Sequence, residues 1–286
     1  METGEKVGRA STSGDEAARP FLKWAGGKGQ LMAQLQPLLP TGPVRRYFEP
    51  FVGSAALFFA LRPQEAALSD VNAELVDCYR AVQTEVDGVI EALSAHRYQE
   101  QAYYRVREQD PGELSLPQRA ARTIYLNKTG YNGLYRVNRS GRFNVPFGRY
   151  TNPGFASRES LENLRACSRA LAGVRLLVRD FGDVERDARK GDLVYFDPPY
   201  VPVSDTSDFT AYVPGGFGPR EQERLVAVVH ALTARGVLVM LSNSDTPVVR
   251  DLYARYRIDV VSAARSINSR ASRRGKIAEV VVRNYD

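Results

Sequence analysis

The segment Asp197-Pro198-Pro199-Tyr200 follows the apolar run Leu193–Phe196 and is the strongest chemical signal in the chain. An amine attached to a heteroaromatic ring is a poor nucleophile because its lone pair is delocalised. The Asp197 carboxylate and the Pro198 carbonyl could accept its two hydrogens and draw the nitrogen toward a tetrahedral geometry, since prolines remove competing N–H donors from the turn. Tyr200 could stack on an extruded base. The pattern predicts chemistry on an exocyclic base amine, and the alternative is an ordinary turn after a strand.

Three further segments could hold a nucleotide-like cofactor. Gly53, within Phe48–Ser54, permits close backbone approach, and the helix start that follows supplies N–H groups to an anion. Asp70 ends the next strand, where an acid typically binds ribose hydroxyls, although it could instead cap the helix that begins near Asn72. Phe21–Lys28 contains paired glycines beside the only Trp of the chain. A turn with a buried Trp would explain that last segment equally well.

Strands and helices that alternate along the chain must position these segments. Strands are predicted at Val44–Phe48, Ala66–Ser69, Val174–Val178, Leu193–Phe196, Val237–Leu241, Arg257–Ser262 and Ala278–Arg283, and helices at Ser54–Leu61, Ser157–Leu171, Arg220–Ala234 and Pro247–Tyr256. The alternation indicates an α/β fold with a doubly wound sheet, interrupted between about Ala73 and Tyr150. We therefore predict a flexible tail at 1–19, a sheet domain formed by 20–72 and 151–286, and an inserted domain at 73–150.

Positive charge is concentrated in the predicted insert. The chain has a net charge of +6, and every charged side chain from Arg119 to Arg158 is basic, as it is again from Arg265 to Lys276. The first run is interleaved with aromatic side chains, which favours a nucleic-acid partner over a merely solvated basic face.

A turn-forming sequence, Asn138–Gly141, separates Tyr135–Val137 from Arg142–Val145 and predicts a hairpin in the insert. Beside that turn, Arg136 could bind a guanine edge through two hydrogen bonds. Arg139 and Arg142 are expected to contact phosphates.

Other features exclude several classes of protein. The two cysteines, Cys78 and Cys167, are far apart and have no metal-ligand spacing, so neither a disulfide framework nor a metal site is expected. No apolar stretch is long enough to cross a bilayer, and the first residues lack the apolar centre of a secretory signal. These observations predict a protein of the reducing cytoplasm.

Four segments in order, Phe21–Lys28, Phe48–Gly53, Gly130–Gly148 and Asp197–Tyr200, resemble the motifs of the Dam-type (D12 class) adenine-N6 DNA methyltransferases. The resemblance extends from about Pro20 to the C-terminus. It implies a Rossmann-like sheet domain that binds S-adenosylmethionine, with a helical and hairpin insert that recognises duplex DNA, and GATC as the target sequence. It also implies action at the bacterial nucleoid and leaves room for a cognate restriction endonuclease as a partner.

The resemblance assigns residues to three groups. The catalytic group is Asp197, Pro198, Pro199 and Tyr200. The cofactor group is Trp24, Gly26, Gly27, Lys28, Glu49, Phe51, Gly53, Asp70, Asp180, Phe181 and Asp197, with the glycines at the methionine half, Asp70 at the ribose, and Asp180 and Phe181 at the cofactor adenine. The DNA-binding group is Lys23, Tyr131, Asn132, Leu134, Arg136, Asn138, Arg139, Arg142 and Pro146. One departure is Ala55, where members often have a second glycine.

Other functions stay open at this point. A cytosine-N4 methyltransferase would use the same two acceptors, but that family more often has Ser in place of Asp197. A methyltransferase for structured RNA fits the insert less well. A noncatalytic DNA-binding protein would leave Asp197–Tyr200 without a role, and a nicotinamide-dependent dehydrogenase would require a three-glycine pattern that the Gly53 loop lacks.

Overall fold

The computed structural model describes residues 17–24, 26–138, 140–202, 217–264 and 276–286. Within these ranges seven strands form one sheet in the order β3-β2-β1-β4-β5-β7-β6. Strand β7 is antiparallel to both of its neighbours, and the other pairs are parallel. The strands are β1 (Tyr47–Glu49), β2 (Ala66–Asp70), β3 (Arg175–Val178), β4 (Leu193–Phe196), β5 (Leu238–Ser244), β6 (Arg257–Ala264) and β7 (Lys276–Arg283). The prediction of an α/β, Rossmann-like sheet is confirmed.

Helices connect the strands. They are α1 (Met32–Leu35), α2 (Ala56–Leu61), α3 (Ala73–Thr84), α4 (Val86–Ser94), α5 (Glu100–Glu108), α6 (Leu116–Thr129), α7 (Arg158–Leu171), α8 (Val184–Asp187), α9 (Pro219–Ala234) and α10 (Pro247–Leu252). Helix α3 packs against β3 and α7, and also against α6. It therefore connects the sheet to the helices between α3 and residue 150.

Strand β4 shows why the central strands are apolar throughout. Leu193 and Tyr195 belong to the core on one face of the sheet, whereas Val194 and Phe196 belong to the core on the other face. All four side chains are at most 2% exposed. A parallel strand that is covered on both faces buries every residue, so it carries a continuous apolar run instead of an alternating one.

The order of the strands fixes the location of a ligand site. The chain proceeds from β1 to β2 and β3 on one side, and from β4 to β5 on the other, while β1 and β4 pair directly. In sheets of this kind ligands bind beyond the carboxyl ends of the strands, where the order reverses. That position lies between Glu49, the last residue of β1, and Asp197, the residue after β4.

Several element boundaries differ from the prediction by one to four residues. Strand β1 begins at Tyr47, three residues after the predicted start. Helix α2 begins at Ala56 because Ala55 has a left-handed φ of 52°. The sheet domain is predicted to start at Pro20, but two residues before it already contact the fold. Ala18 is buried, and the Arg19 backbone forms hydrogen bonds with the Asn163 side chain of α7.

Part of the basic run that begins at Arg119 has a structural role. Arg122 on α6 is 3% exposed, and its guanidinium donates to the carbonyls of Val106 and Arg107 at 3.1 and 2.9 Å. It also contacts Glu74 of α3 at 3.4 Å. Several other members pair with acids, namely Arg119 with Asp77, Arg149 with Glu100 and Arg158 with Glu162. The charge available to DNA is therefore smaller than the sequence indicates.

We expect Arg122→Met to lower the free energy of unfolding by about 3 kcal/mol, because the Val106 and Arg107 carbonyls lose their donor and the Glu74 carboxylate loses its cationic partner. Arg142→Met, on an exposed position of the hairpin, is the matched control and should change it by less than about 0.5 kcal/mol. Urea denaturation of both variants measures the difference. Equal stability of the two would mean that Arg122 is not a structural arginine.

Candidate functional site

Asp197 lies at the carboxyl end of β4 and is paired with a buried lysine. The Lys28 Nζ is 2.8 Å from Asp197 Oδ1, and the two side chains are 3% and 20% exposed. Lys28 begins a short 3-10 turn, Lys28–Leu31, and its ammonium also donates to the Gly26 carbonyl. Burial raises the pKa of Asp197, whereas the ammonium of Lys28 lowers it. The lysine thus favours a charged carboxylate at a position where burial alone would favour the neutral acid.

The proline turn after Asp197 is held by polar side chains from α9 and β5. The Pro199 carbonyl accepts a hydrogen bond from Gln222 Nε2 at 3.1 Å, and the Val201 N–H donates to Asn243 Oδ1 at 3.1 Å. Within the described ranges, no group donates to the Pro198 carbonyl. The carbonyl predicted to accept from an amine therefore retains that capacity.

Tyr200 is fixed at both its hydroxyl and its ring. The hydroxyl donates to Glu279 Oε2 at 2.7 Å, and Lys28 Nζ lies 4.8 Å from the ring centroid. Glu279 is on β7, and the sequence analysis missed it. The available signal was an acid among the apolar residues Ala278–Val282 of a predicted strand.

The Gly53 loop follows β1 and requires glycine. Gly53 has φ of 44°, and a Cβ at this position would lie 2.8 Å from Trp24 Cδ1. The Gly53 carbonyl accepts from Tyr79 Oη at 2.9 Å, which fixes the loop against α3. Gly27 donates its N–H to the Trp24 carbonyl at 2.9 Å. Ala55 adopts a left-handed φ of 52° where the resembling family often has glycine, so this chain tolerates a strained alanine there.

Glu49 ends β1 as a buried carboxyl group, 3% exposed. It accepts a hydrogen bond from Tyr47 Oη at 2.8 Å. Burial raises the pKa of Glu49 to about 8, although the bond from Tyr47 and the charge of Lys28 oppose the shift. A buried carboxyl beside the switch point is suited to a cationic ligand, which would favour its charged form.

Asp70 ends β2, on the other side of β1. Its Oδ1 accepts the Asn72 N–H at 3.0 Å, and burial raises its pKa to about 6. The N-cap of α3 is Asn72, whose side chain accepts from the Leu75 N–H at 3.2 Å. Asp70 is therefore not the cap of that helix, and its carboxylate lies at the sheet edge where a ribose acid is expected.

Asp180 and Phe181 follow β3. Phe181 belongs to an aromatic cluster, and Asp180 lies beside it in the chain. The rings of Phe51 and Phe181 stack with centroids 5.3 Å apart, and Phe217 packs on Phe51 edge-to-face at 5.6 Å. Asp180 Oδ2 contacts Arg224 of α9 at 2.6 Å, and both side chains are about half exposed. These residues supply ring faces and hydrogen-bonding groups near the tip of β3.

The predicted hairpin is present as a short ladder. Val137 pairs with Phe143, and the backbone bonds Asn138 N–H to Arg142 O and Asn144 N–H to Arg136 O are 2.9 and 3.0 Å long. Side chains alternate, with Tyr135, Phe143 and Val145 buried. The predicted DNA-binding residues Lys23, Tyr131, Arg136, Asn138, Arg142 and Pro146 are exposed, and Asn132 and Leu134 are half-buried.

Two members of this group form bonds within the hairpin. Arg136 Nε donates to Asn144 Oδ1 at 2.8 Å, which orients its guanidinium. Asn138 Oδ1 accepts from the N–H groups of Ser140 and Arg142, both at 3.0 Å, so it shapes the turn. Arg139 and most of the second basic run lie outside the described residues.

One buried asparagine joins the hairpin to the N-terminal segment. Asn127 of α6 accepts from the Lys23 N–H at 2.7 Å and donates to the carbonyls of Lys23 and Gly133 at 2.6 and 3.2 Å. Trp24 stacks on Tyr135 with centroids 5.3 Å apart. The sequence analysis did not select Asn127, because a polar residue within an amphipathic helix gives no signal of its partners.

Comparison with known proteins identifies the family. The family described as D12 class N6 adenine-specific DNA methyltransferase matches residues 24–267.

The chain belongs to this D12 class.

Among similar D12-class proteins is the type II methyltransferase M1.LlaDCHI of Lactococcus lactis subsp. cremoris, 41% identical with 93% of this chain and 95% of that protein covered. The type II methyltransferase M.MjaIII of Methanocaldococcus jannaschii is 40% identical, with 93% and 99% covered. The DNA adenine methylase of Escherichia coli K12 is 35% identical, with 92% and 94% covered. The protein is thus an N6-adenine DNA methyltransferase, and the family implies S-adenosylmethionine as the methyl donor. The cytosine-N4 and noncatalytic alternatives lose their support.

No group of three or more His, Cys, Asp or Glu side chains in the described ranges could hold a metal ion. No helix in the same part of the chain is long and apolar enough to cross a membrane.

The Glu49 carboxyl should make stability depend on pH in the protein without cofactor. Because its pKa rises on folding from 4.5 to about 8, the unfolded chain loses this proton first as pH increases. Folding then requires proton uptake, and this contribution to stability falls between about pH 5 and pH 8 by up to about 1.4 kcal/mol per pH unit.

Glu49→Gln should therefore gain stability relative to wild type as pH rises, measured by urea denaturation at several pH values. The exposed Glu91→Gln on α4 is the control and should follow the wild-type curve. Parallel curves for Glu49→Gln and wild type would show that Glu49 is ionised in the folded protein.

Proposed function

We propose that the methyl donor is S-adenosylmethionine and that the target is the adenine of GATC in duplex DNA. The observation that carries the proposal is the place of Asp197–Tyr200 at the tip of β4, beside the switch point of the sheet. A carboxylate, a carbonyl that no described group bonds and a fixed aromatic ring occur together there.

The residues at the carboxyl ends of β1, β2 and β3 suit S-adenosylmethionine, whose methyl group is attached to a positively charged sulfonium. The Gly53 loop packs against the Trp24 ring at the tip of β1, and the buried Glu49 carboxyl at the same tip offers negative charge to a cation. The Asp70 carboxylate suits ribose hydroxyls. Phe51 and Phe181 offer ring faces to the adenine of the donor, with Asp180 nearby for its amine. We assign Trp24, Gly26 and Gly27 to the methionine half, because Trp24 packs against Gly53 and Gly27 lies beside Ser54 in the same loop.

The side chains that face the target base would act by orientation and hydrogen bonding. The target amine donates one hydrogen to Asp197 and one to the Pro198 carbonyl, which makes the nitrogen lone pair available. The nitrogen forms the new bond to the methyl carbon as the carbon–sulfur bond of the donor breaks with its electron pair on sulfur. The nitrogen then loses one proton to water. No covalent bond to the enzyme is required, so proximity and orientation supply much of the acceleration.

Residues 73–150 form the target-recognition insert in this proposal. The exposed Tyr131 and the half-buried Asn132 and Leu134 contact bases, with Pro146 and Lys23 beside them. Arg136, which Asn144 orients, contacts a guanine edge. Relatives named DNA adenine methylase support adenine as the target base. The resemblance of Tyr131–Arg136 to the GATC-reading hairpin of the Dam-type enzymes supports GATC.

Relatives named type II methyltransferase support a partner restriction endonuclease of the same specificity. Action on DNA would place the protein at the nucleoid in the cytoplasm.

Replacing Asp197 by Ala should reduce the single-turnover rate of methyl transfer at least ~10²-fold, because one of two preorganised acceptors is lost. Affinity for S-adenosylmethionine, measured by calorimetry, should change only a few-fold. Asp87→Ala, on the exposed side of α4, is the matched control and should keep the wild-type rate. A rate for Asp197→Ala within a few-fold of wild type would refute the catalytic assignment.

Two arginines of the hairpin should have different roles in DNA binding, one specific to the sequence and one independent of it. Arg136→Ala should cost about 1–3 kcal/mol on GATC and relax discrimination at one guanine. Arg142→Ala should weaken binding to all sequences alike and flatten the salt dependence. Duplexes with each single-base substitution, titrated at several salt concentrations, measure both effects. Wild-type protein that leaves GATC sites open to a methylation-sensitive nuclease would show that the target is wrong.

A further inference from the structure

A buried ammonium connects the two ends of the catalytic motif. Lys28 Nζ is 2.8 Å from Asp197 Oδ1, 4.0 Å from Glu279 Oε2 and 4.8 Å from the centre of the Tyr200 ring. Its side chain is only 3% exposed. The resemblance places Lys28 in the cofactor group, and in the structure its ammonium lies against the catalytic motif.

Glu279 completes the cluster from β7, which is separated from β4 by one strand, β5. It lies on β7 opposite Ser244 of β5, and its side chain is 14% exposed. Its Oε2 accepts the hydroxyl of Tyr200 at 2.7 Å and also lies near the Lys28 ammonium. One ammonium therefore serves two carboxylates, one of which holds the aromatic ring and the other of which accepts from the substrate.

We propose that Lys28 and Glu279 are positioning residues for methyl transfer: Lys28 holds the Asp197 carboxylate, and Glu279 holds the Tyr200 ring through its hydroxyl. The inference rests on the proposed function of Asp197 and Tyr200. A carboxylate has lone pairs on two oxygens, so the contact of Lys28 with Oδ1 leaves acceptor capacity for the target amine. The Tyr200 hydroxyl, once bound to Glu279, sets the plane on which a base stacks.

The charges around Asp197 act in opposite directions. Lys28, on the 3-10 turn, lowers the Asp197 pKa, and Glu279, on β7, raises it. The other titratable groups that face Asp197 are Tyr200 in its own loop, Tyr195 on β4, and Tyr47 and Glu49 on β1. Only ionised Asp197 can accept from the amine without donating, so methyl transfer should fail as pH falls through its pKa.

The test compares pH profiles of single-turnover methyl transfer for Lys28→Met and Glu279→Gln, with adenine-containing duplex and S-adenosylmethionine saturating. Lys28→Met should move the acid limb to higher pH and be at least about tenfold slower than wild type at low pH, since a neighbouring charge at this distance changes protonation by that factor or more. Lys28→Arg keeps the charge and should restore most of the wild-type profile. Glu279→Gln keeps an acceptor for Tyr200 and should move the limb to lower pH.

Shifts of the acid limb in opposite directions in Lys28→Met and Glu279→Gln would exclude a merely structural role, because a structural defect would lower the rate equally at every pH. Lys28 also lowers the pKa of Glu49, so the shift in Lys28→Met alone does not identify the carboxyl. Glu279→Gln does, because Glu279 raises the pKa of Asp197. Lys190→Met, exposed at the opposite edge of the sheet, is the control and should keep the wild-type profile.

A double-mutant cycle separately tests whether Glu279 acts on methyl transfer through its hydrogen bond to Tyr200. At a pH above the acid limb, Tyr200→Phe and Glu279→Ala should each slow transfer, and the double variant should be no slower than the slower single one, because both remove the same hydrogen bond. Multiplicative losses would overturn the role of Glu279. If Lys28→Met does not fold, Glu279→Gln and this cycle still decide the proposal.

The outcomes separate this inference from the proposed function. Acid limbs that move in the same direction, or not at all, in variants that bind S-adenosylmethionine normally would overturn the inference while wild-type transfer to adenine stands. Wild-type protein that transfers no methyl group to adenine would instead overturn the proposed function.

Discussion

The direct pairing of β1 with β4 determines where the chemistry of this protein can occur. It brings the tips of two buried parallel strands to one point, and each tip is followed by a turn that the sequence has specialised. Glu49 and Gly53 come from the first turn, and Asp197 and Tyr200 come from the second. Buried carboxyl groups at that point would be costly if they were isolated. The Lys28 ammonium offsets the cost for Asp197, and the Tyr47 hydroxyl reduces it for Glu49.

The short segment before Lys28 connects recognition to catalysis. Asn127 binds the Lys23 backbone to the Gly133 turn, and Trp24 lies between the Gly53 loop and Tyr135 of the hairpin. Lys28 then reaches Asp197. The proposed base contacts of the hairpin and the proposed acceptor Asp197 are thus joined through a few residues. This arrangement provides a physical route by which the correct sequence could align the acceptor, in addition to binding more tightly.

Local patterns allowed the sheet and its catalytic edge to be predicted. An apolar run before Asp197-Pro198-Pro199-Tyr200 specifies a buried strand and the turn after it, and Asn138–Gly141 specifies the hairpin. Contacts between distant segments were not predictable in this way. Arg122 belongs to the basic run that favours nucleic acid because its charge is visible in the sequence, whereas the carbonyls to which it donates are not. Glu279 and Asn127 act through partners that only the folded chain brings near, and the left-handed Ala55 is a backbone property that a side-chain pattern does not encode.

Transfer to N6 of adenine is the central claim, and identification of the methylated nucleoside tests it most directly. Purified protein would be incubated with unmethylated duplex DNA and isotope-labelled S-adenosylmethionine, and the DNA would then be digested to nucleosides for mass spectrometry. The account predicts label in N6-methyladenine and none in methylated cytosine. Label in N4-methylcytosine, or protein that binds the donor and the duplex without labelling either base, would contradict it.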